Sequence, residues 1–212
     1  MNDEVVDKMT KMNNEALDGN LDAVYKIVFF GKKEPKGTLR DCLQQYSAKQ
    51  LIVICRFLCD DETKKFKRLS KQEKVDFLEK KILNLAKNQL GELSLTCLND
   101  LNGIINNSTK DIKSSILLGM GLVYYTMIDG EEKYYIPSDV RKLVKKNLNS
   151  KVYLESEFNV FNLCLVACHY VYGLVPKNLL IKIYEQNDSR RANINDLIKM
   201  LEDKVEKIVI KG

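Results

Sequence analysis

Apolar residues recur every third or fourth position through most of this chain, and the runs open on side chains able to cap a helix. Thr38 stands ahead of LRDCLQQY, Ser47 ahead of AKQLIVICRFL and Ser70 ahead of KQEKVDFLEKKILNLAK. Each offers an oxygen to the unpaired N–H groups of a first turn. In the third run Val75, Leu78, Ile82 and Leu85 predict one buried stripe. The intervening CDDETKKFKRLSK is polar and lysine-rich, which predicts a solvated loop. Gly91 to Ile105 predicts a further helix with Leu93, Leu98, Leu101 and Ile105 apolar. Asn106-Asn107-Ser108 stops it, and STKDIKSSILLGMG predicts another, with Ile112, Ile116 and Leu117 inward and Lys110, Lys113 and Ser114 outward. Ahead of Thr38 the pattern is weak: Leu21, Val24, Tyr25 and Val28 mark one short helix, then Gly31, Pro35 and Gly37 punctuate the chain. Residues 1–37 are therefore expected to be a loosely attached N-terminal element and linker.

After Gly121 the runs shorten. LVYYTMI and EKYYIP flank Asp129-Gly130, a dipeptide suited to the positive φ angles of a type I′ turn, so a hairpin is expected. A two-residue loop sets Tyr124 opposite Tyr135 and Tyr125 opposite Tyr134, one aromatic pair on each side of the ribbon, each pair contributing about 0.2–1 kcal/mol. Pro137 ends the second strand and Ser138 caps a helix whose apolar face is Val140, Leu143, Val144 and Leu148. Arg141 with Lys145, and Lys142 with Lys146, form adjacent i,i+4 rows on the other face. A second unit is expected from Lys151. Glu157 to Tyr172 is apolar almost all round and predicts a central buried helix; Pro176 leads into KNLLIKIYEQN, and Ile194, Leu197, Ile198, Leu201 and Val205 mark a last helix. KIVIKG predicts the first strand of a further wing, whose partner strand would lie elsewhere or in a longer parent chain. The expected architecture is mainly α with small β-hairpins, in two helical domains, 38–150 and 151–212.

The short helix, the helix bearing LIVIC, and the Lys-rich loop into KVDFLEKKI resemble the SAP and Rho termination factor N-terminal-like helical modules over residues 38–85, which implies nucleic-acid binding. LLGMGLVYYTMIDGEEKYYIPSDVRKLV resembles the ending of winged-helix modules, and the C-terminal run of helix, Tyr-Gly-Leu-Val-Pro, helix, helix and strand resembles a second winged-helix-like unit, as in uncharacterised bacterial proteins. Winged helices bind DNA, RNA and proteins alike, so the resemblance implies a fold more than a role.

Composition changes this picture little. Of 212 residues 45% are hydrophobic and 30% charged, which is globular, and the net charge of +5 permits a polyanionic partner without requiring one. The opening MNDEVVDKMTKMNNEA lacks the basic and apolar regions of a secretory signal, and the apolar window Val160 to Tyr172 is too short to span a bilayer. A cytoplasmic protein with no membrane partner is expected. The cysteines sit mostly in apolar helical runs and are expected to be reduced. Cys55/Cys59 and Cys164/Cys168 with His169 invite a metal reading, but the pairs lie in different expected domains, and core packing is preferred. Cys168 and His169 are consecutive on a helix and project about 100° apart, which disfavours a nucleophile–base pair. With no phosphate loop, dinucleotide fingerprint or hydrolase motif, no enzyme and no cofactor are expected.

What remains is binding. Phosphate contacts are expected from Lys64, Lys65, Lys67 and Arg68, from Lys110, Lys113 and Lys133, from Arg141, Lys142, Lys145 and Lys146, and from Arg190 and Arg191. Exposed hairpin tyrosines would stack on unpaired bases. The segment expected to enter a groove offers only Lys110, Lys113 and Ser114, so DNA or RNA would be bound with little sequence specificity, in a regulatory or accessory role. The alternative is a protein-interaction adaptor or inhibitor using the wing, an apolar surface or an edge strand at Lys207 to Lys211. Neither the partner's identity nor the oligomeric state is written in the sequence.

Overall fold

Three helices begin on a reciprocal cap. The Thr38, Ser47 and Ser70 hydroxyls accept from the backbone N–H three residues on, while Asp41, Gln50 and Glu73 accept from the capping residue's own N–H. The computed structural model describes residues 20–31, 37–107, 112–128, 131–172, 176–185 and 193–209. The chain is mainly helical with a small three-stranded sheet, and divides into two compact units: residues 1–89 with 99–147, and residues 90–98 with 148–212.

The first unit is built on α5. Its elements are α1 (Leu21–Val28), β1 (Phe30–Gly31), α2 (Leu39–Gln45), α3 (Ala48–Cys59), α4 (Thr63–Phe66), α5 (Lys71–Asn88), most of α6 (Leu95–Ile105), α7 (Ile116–Gly119), β2 (Tyr124–Ile128), β3 (Glu131–Tyr135) and α8 (Ser138–Asn147). Val75, Leu78, Ile82 and Leu85 are buried as one stripe, and α2, α3 and α8 all pack on α5. Gly121, at φ +70°, carries the chain close over this core: a Cβ there would lie 2.7 Å from Ile82 Cδ1. Asp139 Oδ1 accepts from the Leu39 N–H at 2.9 Å and from the Val140 N–H at 3.0 Å, serving the starts of α2 and α8 together.

β2 and β3 pair antiparallel in the expected register, Tyr124 with Tyr135 and Tyr125 with Tyr134; the Asp129-Gly130 turn lies outside the described residues. The third strand was not expected. β1 lies parallel to β2, Phe30 beside Tyr125 and Gly31 beside Thr126. The N-terminal stretch is thus no loose linker where it is described. Asn20 caps α1, the Asp22 carboxylate accepts from the Ser115 hydroxyl, and Lys26 pairs with Glu132 at 2.7 Å.

Three further expectations change here. The solvated loop contains a 3-10 turn, Asp60–Glu62, and then α4, because Phe66 is buried and packs on Phe77 at 5.4 Å. The buried Lys74 then fixes the turn between α4 and α5 by donating to the Lys67 and Leu69 carbonyls. The helix expected from Ser108 spans only Ile116–Gly119 among the described residues; ahead of it the Asp100 carboxylate accepts from the Lys113 and Ser114 N–H groups, both at 2.8 Å. Ser114 is consequently buried and Ile116 exposed, the reverse of the helical expectation. The helix expected from Gly91 is instead a 3-10 turn, Leu90–Glu92, followed by α6, whose first turn belongs to the second unit.

In the second unit α9 (Ser150–Tyr172), α10 (Lys177–Glu185) and α11 (Ile194–Val209) surround Phe158, Phe161, Leu180, Tyr184 and Leu197. The Leu90–Glu92 turn packs on α9: Asn159 donates to the Gly91 carbonyl at 3.0 Å and Ser156 to the Leu93 carbonyl at 2.5 Å. α9 is not buried all round. Leu163, Val166 and Tyr170 are 68%, 57% and 92% exposed, on a face opposite Phe158 and Phe161. The expected strand at KIVIKG is also corrected, since α11 runs on to Val209. Val205 and Ile208 continue the three- and four-residue spacing of Leu197 and Leu201, and that period outweighs a short apolar run.

Candidate functional site

The sequence-predicted cations fall into separate groups. Lys64 and Lys65 lie on α4 and Lys67 and Arg68 in the turn after it, all exposed, beside exposed Asp60 and Asp61. Lys113 is exposed ahead of α7 and Lys133 is exposed on β3; Lys110, Arg190 and Arg191 lie outside the described residues. On α8, Val140 and Val144 are buried and Lys142, Lys145 and Lys146 project into solvent. Arg141 is not one of this exposed set: it is half-buried and donates to the Ile105 carbonyl at 3.2 Å, pinning α8 to the end of α6.

α5 measures the separation of the two main groups. Lys74 holds the turn that carries Lys67, while Asn147 at the end of α8 donates to the Ala86 carbonyl at 3.3 Å. At 1.5 Å per residue these anchor points are about 18 Å apart along the helix. That is twice the Debye length of about 8 Å at physiological ionic strength, so α4 and α8 present two fields rather than one.

Carboxylates elsewhere are engaged. Arg40 pairs with Asp76 at 2.7 Å and with Glu79 at 2.5 Å, and Lys81 pairs with Glu62 at 2.7 Å. Among the described residues no ion pair involves Lys142, Lys145 or Lys146. The hairpin tyrosines do not form the expected stacking platform. Tyr124 and Tyr125 are buried, Tyr134 donates to Glu132 at 2.6 Å, and Tyr135 donates to the Gly37 carbonyl at 3.0 Å. Burial works against the Glu132 carboxylate, yet hydrogen bonds from Lys26, Tyr134 and Tyr125 with the Lys26 charge hold its pKa below the usual value.

A feature that local sequence signals did not mark is a cleft of about 520 Å³ in the first unit. It is lined by Phe30 and Gly31 from β1, by Tyr124 and Tyr125 from β2, and by Cys42, Gln45 and Tyr46 from α2 and its end. Tyr46 and Tyr124 stack at 5.1 Å with their planes 13° apart, and Phe30 meets Tyr125 edge-on at 6.1 Å. Ser47 and Gln50 border it at the start of α3, and Lys71 at the start of α5, where its ammonium donates to the Gln44 carbonyl at 2.8 Å. Both stacked tyrosine hydroxyls are buried without a hydrogen-bond partner among the described residues. Burial pushes both phenols well above their ordinary pKa, and pushes the Cys42 thiol to about 12, with Asp41 and Asp139 adding to the latter. These groups are neutral at physiological pH.

Cys42, Cys55, Cys59, Cys97 and Cys164 are free thiols. Cys55 and Cys59 bring their sulfurs to 3.8 Å, and burial, then the neighbouring Cys55, raises the Cys59 pKa to about 12. Among the described residues no group of three or more His, Cys, Asp or Glu gathers to hold a metal ion, and no helix is long and apolar enough to cross a membrane. No protein-family model, no curated protein and no solved structure matches the chain.

Proposed function

We propose that the first unit is a non-enzymatic binding module that contacts nucleic-acid phosphates through α8, with little sequence specificity. The observation that carries this reading is the exposed trio Lys142, Lys145 and Lys146, without ion-pair partners among the described residues, on a helix held by Val140, Val144 and Arg141. A fixed helix presents its charges with less ordering cost than a loop does, and phosphate contact needs position and charge but no base-reading groups. Base readout has no support, since the segment expected to enter a groove is a capped turn followed by the short α7.

Anisotropy titrations with labelled single- and double-stranded oligonucleotides across a salt series test this. Contacts by three lysines predict a log–log salt slope of about −2.7 on duplex and little dependence on sequence. Lys142→Glu, Lys145→Glu and Lys146→Glu together should remove most of the affinity, while Lys64→Glu with Lys65→Glu should remove less. No binding at low salt would sink the reading. A protein-partner reading is favoured by one observation, the exposed Leu163, Val166 and Tyr170 on one face of α9. Loss of a co-purifying protein on Leu163→Ser with Val166→Ser, with oligonucleotide binding absent, would establish it instead.

A further inference from the structure

We propose that the cleft between the sheet and α2 binds a small planar aromatic anion, with the ring against the tyrosine wall and the anionic group at Lys71. This goes beyond the phosphate-contact reading and does not depend on it, since α8 contributes no residue to the cleft.

Size comes first. A volume of about 520 Å³ lies within the range of about 300–1,000 Å³ in which small-molecule sites fall. The chemistry of the wall then selects the body of the ligand. Phe30, Tyr46, Tyr124 and Tyr125 give the lining a largely aromatic surface, and apolar surface with a few polar groups is the usual composition of a site for a flat ligand.

The sign of the ligand's charge follows from the rest of the lining. Among the described residues Lys71 is the one formally charged residue of the lining, and no carboxylate lines the cleft. Lys71 spends one proton on the Gln44 carbonyl, which leaves two for a ligand and fixes the ammonium's place. Two long helices, α3 and α5, also begin at this border, at Ser47 and Lys71, and their N-terminal ends favour negative charge. A cation would find aromatic faces here but would meet the Lys71 ammonium.

The hydroxyls supply the independent observation. Tyr46 and Tyr124 are each 4% exposed, line the cleft, and carry hydroxyls with no partner among the described residues. Both hydroxyls are closed off while the two rings stack, so a ligand that parts the Tyr46–Tyr124 pair brings an acceptor to donors otherwise left unsatisfied. Phenylalanine at both positions would pack the same rings and leave no such donors.

The test is calorimetric titration of the full chain with three probes on one ring system: 2-naphthoate, its neutral carboxamide, and 2-naphthylmethylammonium. The expected result is saturable one-to-one binding of 2-naphthoate, about five- to tenfold tighter than the carboxamide, with the ammonium not bound. Lys71→Gln, at an exposed position, should bring the carboxylate down to the affinity of the carboxamide. Tyr46→Phe with Tyr124→Phe should weaken both by several-fold while the chain stays folded by circular dichroism. Leu163→Ser with Val166→Ser should change nothing, which separates the cleft from the apolar face of α9. The proposal is overturned by absence of saturable binding, by equal affinity for all three probes, or by a preference for the carboxylate that survives Lys71→Gln. Full affinity in the double phenylalanine chain, or loss of binding on Leu163→Ser with Val166→Ser, overturns it equally.

Discussion

Replacing Tyr46 and Tyr124 by phenylalanine should make the ligand-free protein more stable. Each hydroxyl is buried without a partner among the described residues, a state that costs about 1–3 kcal/mol relative to hydration. Removing it forfeits no hydrogen bond. The void left behind, on the order of 10 Å³, takes back about 0.2 kcal/mol at about 24 cal/mol per Å³. Taking the lower bound, each single variant gains roughly 1 kcal/mol, or about 2–4 °C in Tm for a chain of this length. The rings touch, with centroids 5.1 Å apart, so the double variant need not equal the sum of the singles. Hydrogen exchange at α5 amides is the suitable assay, because α5 belongs to the first unit and its protection reports on the opening of that unit.

The alkaline limb adds a check of sign. Burial raises both phenols above the ordinary 10.0, so the stability linked to their neutral form is complete below that value and is lost as pH rises through the folded pKa. The phenylalanine variants lack this loss, and their advantage should widen above about pH 10. If either single variant loses more than about 0.5 kcal/mol, its hydroxyl has a bonding partner and the reasoning fails.

Two other variants probe the frame around the cleft. Gly121→Ala should destabilise the first unit by at least about 1–2 kcal/mol, because it meets both a left-handed φ of +70° and Ile82 Cδ1 at 2.7 Å; a melting curve unchanged from the parent would refute this. Glu132 has a pKa held below its ordinary 4.5, so its contribution is present above that value and is lost as pH falls through the folded pKa. Acid titration followed by circular dichroism should show Glu132→Gln less stable at neutral pH, with the gap closing toward acid.

Much of the helical frame was legible because its signals are local. Thr38, Ser47 and Ser70 sit beside the turns they cap, and the Tyr124–Tyr135 register follows from the length of a single turn. The same holds for the lysines of α8, whose exposure follows from the burial of Val140 and Val144 on one helix. What escaped depends on distant partners. β1 is two residues long and pairs with a strand almost a hundred positions away, so no local pattern announces it. The turn at Lys113 and Ser114 is set by Asp100 on another helix, and a sequence window containing only 108–121 reads it as helical. The α9 face around Leu163 looked like core because apolar composition does not state how many neighbours a helix has. The cleft draws its lining from four separated stretches of sequence, which explains why motif spacing did not reveal it.

The two bonds accepted by Asp139 bear on motion as well as on architecture. One carboxylate oxygen serves both the Leu39 and Val140 amides, so neither helix start can fray without disturbing the acceptor of the other. The start of α2, whose end carries Tyr46 of the cleft, and the start of α8, which carries the basic face, thus share one acceptor and are expected to open together. Hydrogen exchange at the Leu39 and Val140 amides should therefore respond together to Asp139→Ala, and a change confined to one of them would show that the two starts open separately.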